Sequence, residues 1–103
     1  METLTELKII RCPMIKTVET FLIKNKLGLH ARAAAAFVKV ANRYQSSIFV
    51  QKDATRVNGK SIMGVLMLAA SKGSKIEISA EGDDSKDALT ALEKLIEDKF
   101  GEE

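Results

Sequence analysis

Two hydrophobic periodicities alternate along this 103-residue chain, and the alternation leaves few folds open. Apolar residues recur at helical spacing in Ala34, Phe37, Val38, Ala41 and Tyr44, within a run from His30 to about Tyr44, and again in Ala88, Leu89, Leu92, Leu95, Ile96 and Phe100. Between these runs, Lys75 to Ala80 reads with period two: Ile76, Ile78 and Ala80 on one face, Lys75, Glu77 and Ser79 on the other. Thr17 to Lys24 is rich in β-branched and aromatic residues, and the runs Ile48 to Lys52 and Thr55 to Asn58 flank a tight turn at Asp53-Ala54. Ser61 to Ala70 is a further short helix, and Asp83 or Asp84 is placed to cap the last one. The predicted order is β-α-β-β-α-β-α. Strands with one polar face and helices with one apolar face bury each other in two layers. The expected fold is therefore α+β, an open-faced sandwich in which a four-stranded antiparallel sheet is covered on one face by three helices.

The length suits one modest core. Residues 1–13 read as an N-terminal extension, expected to be mobile, in which Leu4, Leu7, Ile9 and Ile10 make at most a short amphipathic turn ended by Pro13. The domain is expected to occupy residues 14–103. No apolar stretch is long enough to span a bilayer, and the N-terminus lacks the apolar run and cleavage site of a signal peptide. Cys12 is the sole cysteine, so no intrachain disulfide can form, and one cysteine with one histidine cannot build a structural zinc site. A reducing cytoplasm fits, and neither a metal nor a cofactor is implied.

The net charge of +2 conceals a division. Residues 24–75 carry ten Lys and Arg against one acid, Asp53, whereas residues 76–103 carry ten acids against three lysines. The basic block suits an acidic protein partner or a phosphate.

The single histidine lies in that block, in the run Leu27-Gly28-Leu29-His30-Ala31-Arg32-Ala33-Ala34. A glycine ahead of it and an alanine-rich helix after it place the imidazole at a helix start. There the first backbone N–H groups lack internal partners and the peptide dipoles add positive charge, so a phosphate is favoured. Neutral imidazole is a nucleophile near pH 7. His30 is thus the candidate phosphoryl acceptor, the N–H groups of Ala31, Arg32 and Ala33 are the candidate phosphate donors, and the Arg32 guanidinium is the candidate stabiliser of phosphate charge. A solvated or capping histidine is the plainer alternative. No general-base partner is visible close by in sequence, which fits a carrier better than a self-sufficient enzyme.

A second stretch, Lys60-Ser61-Ile62-Met63-Gly64-Val65-Leu66-Met67-Leu68-Ala69-Ala70, is apolar almost all round. A short helix on a sheet hides only one face, so Ile62, Met63 or Met67 are expected at the surface, where methionine suits an adaptable interface. Ser61 is a good N-cap, which alone would account for it.

Taken together, LGLHAR, KSIMGVLMLAA and ISAEGDD resemble the HPr family, the histidine-containing phosphocarriers of the bacterial phosphotransferase system, from Lys16 to Glu97. The resemblance implies the open-faced sandwich. It sets the family's phosphorylated histidine on His30, its helix-start arginine on Arg32 and its regulatory phosphoserine on Ser61. Partner-docking positions fall on Ala35, Lys39, Ile62, Met63 and Met67. It implies a monomeric carrier charged by enzyme I at the expense of phosphoenolpyruvate and discharged to an enzyme IIA domain, with an HPr kinase as a further partner at Ser61. Ala33 stands where many members have proline, and LHARAAA with SIMGVLMLAA also resembles the nitrogen-type branch, which serves regulation rather than sugar uptake. Two rivals are a binding module without phosphotransfer and a basic nucleic-acid-binding domain. The second lacks exposed aromatic stacking platforms and any recognised DNA motif, so neither nucleic acid nor membrane is expected as a partner.

Overall fold

The computed structural model describes residues 15–102. The expected extension at 1–13, with Cys12, lies outside the described residues.

Four strands and three α-helices follow in the anticipated order: β1 (Lys16–Leu22), α1 (Ala31–Ala41), β2 (Ser47–Lys52), β3 (Thr55–Asn58), α2 (Ile62–Met67), β4 (Lys75–Glu81) and α3 (Ser85–Glu97), with a final 3-10 turn at Lys99–Gly101. The sheet order is β1-β4-β2-β3, and every neighbouring pair is antiparallel. Period-two alternation sends Ile76, Ile78 and Ala80 of β4 and Ile48 and Val50 of β2 into the core, where each is 1% exposed or less. Ala33, Ala34, Phe37, Val38 and Ala41 of α1 face them, as do Ala88, Leu89, Leu92 and Ile96 of α3. Burying one side chain of the size of Phe37 or Ile78 contributes about 1.5–3 kcal/mol. Among the described residues the opposite face of the sheet carries no helix; there the Arg56 guanidinium lies 4.2 Å from the centre of the Phe49 ring.

The element ends depart from the periodic reading in four places. Strand β1 ends at Leu22, but Ile23 stays buried and its N–H donates to the Ser74 carbonyl at 2.9 Å. Helix α1 stops at Ala41 because the next N–H groups close shorter turns, Arg43 to Val40 and Tyr44 to Ala41, so Tyr44 packs on the core from outside the helix. Helix α2 is shorter than Ser61 to Ala70: Ala69 takes φ 50°, a left-handed turn that no glycine advertises. Phe100, counted on the α3 stripe, sits in the 3-10 turn with φ 57° and still buries its ring.

Asp84 is the N-cap residue of α3, yet its side chain does not cap that helix. The carboxylate reaches across instead and accepts the N–H groups of Gln45 at 2.8 Å and Ser46 at 3.0 Å, and the Ser46 hydroxyl. The Ser46 hydroxyl, then the Gln45 N–H, hold the Asp84 carboxyl below its ordinary value. Gly82 makes the approach possible: at φ +149° a Cβ there would lie 2.5 Å from the Ser46 oxygen.

Candidate functional site

His30 is the N-cap residue of α1, with an extended backbone and no side-chain capping bond. The helical ladder begins with the Ala34 N–H donating to the His30 carbonyl at 2.8 Å. The N–H groups of Ala31, Arg32 and Ala33 therefore precede the ladder, at the positive end of an 11-residue helix. No acid stands in that first turn.

The loop before His30 is held by backbone. The Leu29 N–H donates to the Ala70 carbonyl at 2.8 Å, the His30 N–H to the Gly28 carbonyl at 2.9 Å and the Gly28 N–H to the Asn25 carbonyl at 3.2 Å. Gly28 has φ +67°, and a Cβ at that position would lie 2.4 Å from the Ala70 oxygen. Glycine is required there for both reasons, at a point of close backbone contact.

The imidazole borders an open cleft of about 820 Å³, with Ala31 and Arg32 on its helix side, Lys26 and Leu27 ahead of it and Glu102 opposite. The His30 side chain is 28% exposed and Nε2 is hydrogen-bonded to Oε2 of Glu102. The other carboxylate oxygen accepts the Asn25 amide at 2.9 Å, and the same Asn25 nitrogen donates to the Gly28 carbonyl at 2.7 Å. Those two acceptors fix the amide orientation, since a flipped Asn25 would set oxygen against oxygen. The Asn25 hydrogen bond does most to hold the Glu102 carboxyl below its ordinary value; burial opposes this, and the His30 hydrogen bond and the His30 and Arg32 charges assist.

Of the residues singled out from sequence, His30, Ala31 and Arg32 meet at this cleft. Ala33 follows on the same turn, fully buried on its side-chain side, while Ala35 and Lys39 lie exposed further along α1. Ser61 caps α2, its hydroxyl accepting the Gly64 N–H at 3.1 Å. On α2 only Val65 is buried; Ile62 is 44%, Met63 70% and Met67 72% exposed. Leu27, at 67%, adds to the apolar surface beside the cleft.

Asn25 and Glu102 escape the sequence reading. Glu102 lies 72 positions from His30, and neither residue belongs to a motif. The only available signal is a lysine, an aromatic and a glycine in a row after α3, which folds as three successive left-handed residues, Lys99, Phe100 and Gly101, and turns the chain back toward the histidine.

The chain matches the family model described as PTS HPr component phosphorylation site over residues 17–98. It is 52% identical over 80 residues to the phosphocarrier protein HPr of Neisseria meningitidis serogroup A, an alignment covering 78% of this chain and 90% of that protein. The crystal structure of HPr-C-His from Thermoanaerobacter tengcongensis superposes with a TM-score of 0.82 at 54% identity, covering 84% of this chain and 98% of the other. An HPr dimer from the same organism superposes at 0.68 with 55% identity, covering 80% and 94%. With the sheet order, the helix-start histidine and these matches agreeing, the chain belongs to the HPr family of phosphocarriers of the phosphotransferase system.

Proposed function

We propose that this protein carries a phosphoryl group on His30, accepting it from phosphoenolpyruvate-charged enzyme I and passing it to an enzyme IIA domain. The observation that carries the reading is the seat of the imidazole: the N-cap of α1, ahead of three N–H groups outside the helical ladder and next to the Arg32 guanidinium on one open cleft. A ring-nitrogen lone pair attacks phosphorus, and the bond to the donor breaks with its electron pair leaving on the donor. The phosphate oxygens then face the Ala31, Arg32 and Ala33 N–H groups and the Arg32 guanidinium, a fixed arrangement of donors that costs no reorganisation when charge arrives. The second transfer reverses these events toward the acceptor. Because the carrier supplies a seat and a nucleophile, the partners supply the rest of the catalysis, and it acts as a monomer.

Docking uses the apolar surface of Ile62, Met63 and Met67 together with Ala35 and Lys39, exposed on α1, the helix in contact with α2. Ser61, at the edge of that surface, is the regulatory position for an HPr kinase. The test is incubation with phosphoenolpyruvate and enzyme I, then with purified enzyme IIA domains of the sugar and nitrogen types. Acid-labile phosphate on the carrier, followed by its passage to one class, supports the relay and assigns the branch. No labelling under these conditions leaves the protein a binding module and defeats the proposal.

A further inference from the structure

Building on His30 as the phosphoryl acceptor, we infer that Glu102 is a positioning residue that accepts the Nε2 proton of His30 and thereby reserves Nδ1 for the phosphoryl group. Imidazole has two nitrogens, and the hydrogen bond made by one settles the role of the other. A carboxylate has no proton to give at neutral pH, so the Nε2–Glu102 contact requires the proton on Nε2 and leaves the lone pair on Nδ1.

The carboxylate is itself held. Fully buried Asn25 donates to its second oxygen and ties it to the Gly28 carbonyl in the loop ahead of His30. The main chain behind it is fixed by the buried Phe100 ring and by three consecutive left-handed residues, two of them not glycine. Glu102 is only 12% exposed at its side chain, so solvent competes poorly for it. Its ordinary carboxylate range is also depressed, which keeps it ionised well below neutrality.

The same contact assists the transfer. As the Nδ1 lone pair forms the N–P bond and the phosphorus–donor bond breaks, the donor takes the bonding pair. The Nε2 proton stays, and the ring gains positive charge that faces a fixed carboxylate. Among the described residues, the other charged groups lining the cleft are cations, Arg32 and Lys26. Among the described residues Glu102 is thus the group there that favours the cationic ring, while the cations favour the phosphate.

The experiment is phosphorylation of the intact protein by phosphoramidate, a small donor that needs no partner enzyme, with the modified nitrogen identified by 31P and 15N NMR. In the wild type the product is on Nδ1. In Glu102→Ala, which leaves the core untouched, the share of Nε2 product rises several-fold, and Glu102→Asp returns it most of the way. Arg32→Ala changes the rate but not the nitrogen. An unchanged nitrogen in Glu102→Ala, or modification of Nε2 in the wild type, overturns the inference. Failure of enzyme I to label the protein would defeat the relay instead and would leave this result standing.

Discussion

The Leu29 N–H donates to the Ala70 carbonyl at 2.8 Å, and that single bond ties the loop carrying His30 to the segment that ends α2. His30 and the exposed methionines therefore share one joint. Gly28 lies against the same carbonyl. Gly28→Ala should destabilise the protein by about 1–2 kcal/mol through its left-handed conformation alone, and by more through the clash. It should also slow transfer, because the loop must shift. Denaturant unfolding together with transfer kinetics checks this; wild-type values in both would show that the joint is not needed.

Docking through an apolar surface set among cations predicts two separable effects. Raising ionic strength should weaken binding to an acidic partner, since exposed charges are screened over roughly 10 Å at 0.1 M salt. Met63→Glu should weaken it at every salt concentration by placing a carboxylate in the patch, without loss of stability, because Met63 is 70% exposed. Titration calorimetry against the partner at several salt concentrations reads both, and normal binding by Met63→Glu would move the interface elsewhere.

Ser61 has a structural duty that a phosphate need not disturb. An anion at a helix start is favoured by about 0.3–1 kcal/mol. Ser61→Asp should therefore fold as well as the wild type yet accept phosphate from enzyme I more slowly, through charge placed beside Ile62 and Met63. If the variant transfers at the normal rate, Ser61 serves only as the cap of α2.

Acid should loosen the protein at two identifiable points. The Asp84 and Glu102 carboxyls are both held below their ordinary values of 3.8 and 4.5, so each binds its proton more readily when unfolded. Their stabilising contribution is present above those values and is lost as pH falls through the lower folded ones. Asp84→Asn should lower the melting temperature at pH 7 and flatten the acid limb of the stability curve. A limb as steep as that of the wild type would mean other carboxylates govern it.

Much of the architecture is readable because it rests on local periodicity. The alternation of Lys75 to Ala80 and the stripe from Ala88 to Ile96 are each set by which face must be buried, and the sheet and α3 follow them. Ends are less readable. Ala69 and Phe100 adopt left-handed backbone that only the surrounding packing imposes, and neither residue type signals it. The site divides in the same way. His30 and Arg32 are legible because a helix start is a local event. Glu102, Asn25 and the Asp84–Ser46 contact are not, since each joins segments brought together only by the completed sandwich.

The central claim is that His30 is the phosphoryl acceptor, and one measurement meets it directly: labelling of wild type and His30→Ala by phosphoenolpyruvate and enzyme I, with the folded state of the variant verified by NMR. The His30 side chain is partly exposed and its hydrogen-bond partner Glu102 lies outside the hydrophobic core, so His30→Ala should keep the fold. The account predicts acid-labile phosphate on the wild type and none on the variant; a folded His30→Ala that labels as fully as the wild type would contradict it.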